Sequence, residues 1–288
     1  MHKITFMLVT IFFFISVTST TSASPEFVRA SKNIFAHPHD LEVDPSGQWL
    51  FVADPNNHDV KVLDANSLEL VATIGSGSLN SPHDVHFDAD GRLLVADSGN
   101  DRLVIYQLNK FQATQINELD TNMSSPEGVT SSPDGYIFVV STGNHKILKF
   151  HNNRLVKEVG ERGNGKLEFV RPHDIELGPD GLLYIGDPGN RRIQVLTDSL
   201  TYHSRITNRN LPFREPKYLA LDKENQLYVA DQGNNQLRIF NSARRQIESI
   251  KMAGDLELNH IEGAEVSGGK IWVSDTYNDR VVLFNWEN

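Results

Sequence analysis

The chain has 288 residues, 39% of them hydrophobic and 22% charged, with a formal net charge of −10 and no cysteine. That is enough apolar material for a large core, and it excludes disulfide cross-links and thiolate metal sites. The acidic balance argues against nucleic acid and anionic membrane surfaces as partners.

The first element is apolar. Ile4 to Val17 follows Lys3 and gives way to Thr21-Ser22-Ala23, the layout of a signal peptide with a basic start, a short apolar centre and small residues at the cut. The run falls short of the roughly 20 residues of a membrane span. Residues 1–23 are therefore expected to be removed, leaving a secreted (extracellular or periplasmic) domain over 24–288 with no membrane span. Its charge becomes −11, because the leader carries Lys3 and no acid.

From there the chain repeats. Pro38-His39-Asp40, Pro82-His83-Asp84, Pro126-Glu127-Gly128, Pro172-His173-Asp174, Pro216-Lys217-Tyr218 and Ile261-Glu262-Gly263 are spaced by 44, 44, 46, 44 and 45 residues at their second positions. A fixed period of this length marks a repeat architecture. Each lead opens a short alternating run such as Leu41-Glu42-Val43 or Ile175-Glu176-Leu177, and a tight turn such as Pro179-Asp180-Gly181 follows. A second strand such as Leu227-Tyr228-Val229-Ala230 leads into an Asp-x-x-Asn loop, and two more strands close the unit. No convincing helix is expected after residue 23. Four antiparallel strands, six times over, predict an all-β, six-bladed β-propeller. The last unit stops after its third strand, at Leu283-Phe284-Asn285-Trp286, so Phe27–Ser31 is expected to supply its fourth and close the ring. Deleting residues 24–34 should then cost far more stability than trimming a loose end.

Topology puts the leads and the Asp-x-x-Asn loops at one end, with the leads ringing the channel mouth: His39, His83, Glu127, His173, Lys217 and Glu262. Such a set suits zinc or another divalent metal, with Asp40, Asp84 and Asp174 as orienters or as ligands to a hard cation. The alternative is structural: these aspartates can accept backbone N–H bonds, and the histidines can cap the inner strand. Tyr277, in the last loop, joins Asp40, Asp84, Glu127, Asp174 and Lys217 as a candidate ligand contact. The Asp-x-x-Asn loops recur too faithfully to be anything but blade geometry, and Trp49, Trp272 and Trp286 read as blade packing. Asn122-Met123-Ser124 is a glycosylation sequon.

The Pro-x-Asp lead, the Asp-Gly turn and the Leu-Tyr-Val-Ala-Asp strand resemble NHL repeats, over about residues 35–286. Gly160-Glu161-Arg162-Gly163-Asn164-Gly165, with Phe169 and Pro172-His173, is similar to a segment of the peptidyl-hydroxyglycine alpha-amidating lyases. That likeness implies a secreted propeller binding zinc and calcium, with zinc ligands in alternate blades, here His83, His173 and Glu262; His39, from the ring of leads, is a further metal candidate. The chain departs from the family where Glu262-Gly263 replaces His-Asp, where Pro188 occupies an arginine position, and where Ser141-Thr142-Gly143-Asn144 lacks a tyrosine. Amidating activity is accordingly not expected. Three readings remain: a secreted propeller binding a peptide, glycan or protein at the mouth, with or without a divalent metal; a metal-dependent propeller enzyme, amidating-lyase-like or lactonase-like; and a purely structural scaffold, whose ring residues could be replaced without consequence.

Overall fold

The computed structural model describes residues 24–208 and 210–286; the expected leader, residues 1–23, lies outside them. Six four-stranded antiparallel sheets follow one another along the chain. Their innermost strands are Leu41–Val43, Pro82–Phe87, Pro126–Ser131, Ile175–Leu177, Pro216–Leu221 and Ala264–Ser267. The protein is a six-bladed propeller.

The ring closes through the amino-terminal segment. Glu26–Ala30 pairs antiparallel with Arg280–Asn285, matching Phe27 to Phe284, and forms the outer strand of the sixth blade. Ser31 continues the join, donating its N–H to the Val281 carbonyl at 2.8 Å. Without this strand the sixth blade would present an open edge.

The apolar side chains divide into six clusters, each filling the gap between two adjacent blades. The core is thus a ring, and the axis is left to side chains that need not be apolar. Trp272 and Trp286 belong to these clusters, and their indole N–H groups donate to the Ala65 carbonyl at 2.8 Å and the Tyr228 hydroxyl at 3.0 Å.

The Asp-x-x-Asn loops hold the blades together. Asp54, Asp97, Asp187, Asp231 and Asp275 are fully buried. Each accepts the amide of the Asn three residues on and a backbone N–H from the connector behind it, for instance Asn100 at 2.8 Å and Asn80 at 2.6 Å for Asp97. A cation from the third strand completes the set: Lys61, Arg102, Arg192, Arg238 or Arg280. Buried carboxylates need this full satisfaction. Five of the loops contain a single 3-10 turn, a feature the repeat pattern does not announce.

Each loop ends on a non-glycine residue at positive φ: His58, Asp101, His145, Arg191, Asn235 and Asp279. Five of these side chains reach the next blade. His58, Asp101, His145, Asn235 and Asp279 accept the backbone N–H of Ser81, Ser125, Arg171, His260 and His37 at 2.7–3.2 Å. Arg191 has no acceptor to offer, and the junction from blade four to blade five lacks this latch. Among the described residues no helix is long and apolar enough to cross a membrane.

Candidate functional site at the channel mouth

The six lead side chains line one opening of about 350 Å³, together with His37, Asn56, Ser81, Thr142, Arg171 and Tyr277. Each starts an inner strand, so the repeat itself carries all six to the same end of the axis.

Both carboxylates of the ring have partners. Glu262 is 4% exposed. It receives His39 Nε2 at 2.8 Å, Lys217 Nζ at 2.8 Å and the Gln232 amide. Burial alone would push its pKa up; His39 and Lys217 outweigh that and hold it well below the carboxylate range. Glu127 pairs with His173 Nδ1. Burial opposes its charge too, but His173 and the neighbouring imidazoles keep its pKa at about 2.

His83 is different. Burial and the adjacent His39, with ring centroids 4.5 Å apart, push its pKa down to about 3, so it stays neutral. The Ser98 hydroxyl spends its proton on the Pro126 carbonyl. His83 Nδ1 must therefore be the donor to Ser98 Oγ, at 2.5 Å, which leaves the lone pair on Nε2. His173 turns Nδ1 towards Glu127, and its Nε2 makes no hydrogen bond among the described residues. The ring thus presents two imidazole Nε2 atoms, from blades two and four.

Beneath the ring stands Tyr218, fully buried, with its hydroxyl 3.4 Å from His39 Nδ1 and 3.5 Å from the His83 carbonyl oxygen. Burial and the carboxylates around it raise its pKa. Its aromatic side chain fills the repeat position that Asp40, Asp84 and Asp174 occupy elsewhere. Those aspartates do not reach the mouth as ligand contacts. Asp84 accepts the Val129 N–H at 2.6 Å, and Asp174 accepts the N–H groups of Leu219 at 2.7 Å and Ile175 at 2.6 Å. Burial and repulsion from the neighbouring aspartates raise Asp40 and Asp174 well above the ordinary range; burial, with Glu42, lifts Asp84 to about 7, and Asp40 and Asp84 hydrogen-bond each other.

One step further along the axis lies a layer that sequence reasoning missed. Glu42, His86, Glu176 and Glu265 line an opening of about 200 Å³. Burial raises Glu176, and lifts Glu265 to about 8. His86, 3.3 Å from Glu42, is the one cation former in this layer among the described residues; Glu42 lifts its pKa against burial. The signal was available: these residues stand two places after the third-position Asp or Gly of their leads. Tyr277 lies at the rim, 53% exposed, its ring stacked 3.9 Å from His260 and 5.1 Å from His37.

Among the described residues no three His, Asp or Glu side chains stand together as a metal-ligating group. The donor set explains it. His83 and His173 offer free Nε2 atoms, but the third alternate-blade residue, Glu262, holds the Lys217 ammonium and His39. A cation reaching it must displace both. The oxygen-rich layer of Asp40, Asp84 and Asp174 has the donors a hard cation prefers, although backbone N–H groups already occupy Asp174.

Fold and ring together define the class: a six-bladed β-propeller with a polar mouth. Within that class, the NHL repeat model matches residues 79–106, so the chain carries an NHL repeat in its second blade. No curated protein sequence matches the chain. Among solved structures, a streptogramin B lyase superposes with a TM-score of 0.64 at 12% identity, covering 92% of this chain and 87% of its own. A virginiamycin B lyase from Staphylococcus aureus bearing quinupristin gives 0.64 at 12%, covering 91% and 87%. An auxiliary nutrient binding protein from Bacteroides thetaiotaomicron gives 0.68 at 13%, covering 93% and 76%. At these identities the likeness is one of fold.

Proposed function

We propose that this protein is an exported binding propeller that takes a polar ligand, a peptide, glycan or protein segment, at the His/Glu/Lys mouth. The observation that carries this reading is the closure of the ring's charges on one another. Glu262 is spent on Lys217 and His39, and Glu127 on His173. That leaves hydrogen-bonding edges such as the His83 Nε2, but no exposed nucleophile and no free general base of carboxylate type. One propeller neighbour is described as nutrient binding and another was solved with an antibiotic, so both binding and catalysis occur on this fold.

The test is a thermal-shift screen of oligosaccharides and short polar peptides on residues 24–288, repeated with His83→Ala and Lys217→Met. Hits are expected to lose their shift in both variants. Hits that keep it bind elsewhere, and the reading falls. Export is checked separately by amino-terminal sequencing of protein recovered outside the producing cell, which should begin near residue 24.

A metal-dependent enzyme is the second reading, supported by the two Nε2 atoms of His83 and His173. Elemental analysis of the purified protein, with melting curves in chelator, decides it. Bound zinc lost in His83→Ala/His173→Ala would support it. A metal-free protein with a chelator-insensitive melt would remove it.

A further inference from the structure

In a chain of net charge −10, one part of the mouth's rim is basic. Arg162, Arg171, Arg191 and Arg214 are all exposed. They come from the connector into blade four, the loop of blade four and the connector into blade five. The structure draws them together. Arg171 donates its N–H to His145 Nδ1 at 3.2 Å, and Arg162 lies close enough to depress the same imidazole, after burial. Asn190, beside Arg191, donates to the Gly163 carbonyl next to Arg162 at 2.8 Å. Arg214 adjoins Glu215, which stands 3.6 Å from Arg171.

The acidic groups on this rim are few. Glu168 takes the Gly165 N–H, Glu215 faces Arg171 in a loose and largely exposed pair, and Glu161 is exposed. Arg162, Arg191 and Arg214 make no side-chain ion pair among the described residues. Arg191 is the telling member. It occupies the position whose side chain latches the other five blade junctions; here it makes no latch, and its guanidinium has no ion-pair partner among the described residues. Arg171 continues the positive edge into the opening itself, where the Lys217 ammonium stands against Glu262.

We propose that the ligand of the mouth is an acidic glycan, a polysaccharide bearing carboxylate or sulfate groups. It lies across the rim of blades four and five and places one anionic sugar between Arg171 and Lys217. This rests on the reading that the mouth is the binding site. Cations spread over a rim match a chain of repeated charge, whereas a single anion is met by convergent donors in a pocket. The opening is lined by His37, Asn56, Ser81 and Thr142 and has no apolar pocket, which a peptide partner would need for its anchoring side chains. Single-stranded nucleic acid would need free aromatic faces, and Tyr277 has its ring against His260 and His37.

The experiment uses residues 24–288 in affinity electrophoresis and titration calorimetry against polygalacturonate, dextran sulfate, neutral dextran, poly-L-glutamate and poly(U). Retardation by polygalacturonate or dextran sulfate, weakening with salt, is expected, and the stronger of the two identifies carboxylate or sulfate as the group read. Arg162→Ser/Arg171→Ser/Arg191→Ser should melt like the parent and bind about tenfold more weakly, three exposed charge contacts being lost. Equal or tighter binding of poly-L-glutamate or poly(U), or no retardation by either acidic glycan, overturns the proposal. So does full affinity in the triple variant. If Lys217→Met abolishes glycan binding while the triple variant retains it, the mouth remains the site and the rim is excluded. If a small neutral ligand protects the parent but not Lys217→Met, the mouth again stands and the acidic glycan falls.

Discussion

The mouth ring and the acidic layer beneath it are built by the same inner strands, only a few residues apart, and they handle charge in opposite ways. At the mouth, two carboxylates stand among three imidazoles and an ammonium, so each buried carboxylate has a partner and stays ionised. In the layer beneath, Asp40, Asp84, Asp174, Glu42, Glu176 and Glu265 face His86 alone, and burial drives most of them towards the neutral form. Basic partners, rather than burial as such, decide whether an axial carboxylate is a charge or a proton donor. Tyr218 separates the two environments.

The strongest way to break the contrast is to remove the residue on which the mouth pairs converge. Glu262→Ala leaves Lys217 and His39 facing each other in a buried site without their counter-charge. A loss of about 3–5 kcal/mol is expected, the usual cost of orphaning a buried ion pair. Urea unfolding measures it, and a change below about 1 kcal/mol would mean that solvent already screens the ring.

The two regions should also respond oppositely to pH. Asp84 and Glu265 have folded pKa values of about 7 and 8, above their ordinary values. Their contribution is complete at pH values below the ordinary carboxylate range and is lost as pH rises through those folded values. Glu127, held at about 2, contributes above its ordinary value of 4.5 and loses that contribution as pH falls towards 2. His83 acts with it: between 6.5 and about 3 the unfolded imidazole takes a proton that the folded one refuses, so stability drops on acidification. Asp84→Asn/Glu265→Gln should therefore stabilise the protein at about pH 9 by a few kcal/mol relative to its effect near pH 4, at most about 1.4 per pH unit for each group. Glu127→Gln should flatten the acid limb instead. Melting curves across pH test both; a parallel offset at every pH would show that neither region titrates as described.

The division between legible and illegible features follows the same line. Period and turn chemistry are local, so the six blades, the closing strand and the convergence of His39, His83, Glu127, His173, Lys217 and Glu262 could be read directly. The pairing could not. His39 meets Glu262 only because the ring closes, bringing residues over 200 positions apart into contact. The acidic layer was hidden in plain alternation: Glu42 and Glu176 look like the solvent side of a half-buried strand until six such strands share one axis. Positive φ at His58, Asp101, His145, Arg191, Asn235 and Asp279 leaves no mark in side chains this varied, so the junction latch was invisible as well.

That latch gives the smallest effect, and the one that separates scaffold from site most cleanly. Arg191 sits at φ 54°, a conformation asparagine tolerates better than arginine, and Asn235 fills the same role one blade later at φ 50°. Arg191→Asn should supply an acceptor to the Glu215 N–H, which now goes to Asp231 Oδ1 at 3.0 Å. Asp231 also holds the Arg214 N–H and the Arg238 guanidinium, so sharing the load costs it little. A second acceptor for an N–H that already has one is worth at most about 0.5–1.5 kcal/mol. The variant should melt slightly higher than the parent and bind acidic polysaccharide more weakly. Both changes together would mean that blade four gave up a structural contact to place a cation at the rim. A lower melting temperature would mean instead that Arg191 is itself part of the junction.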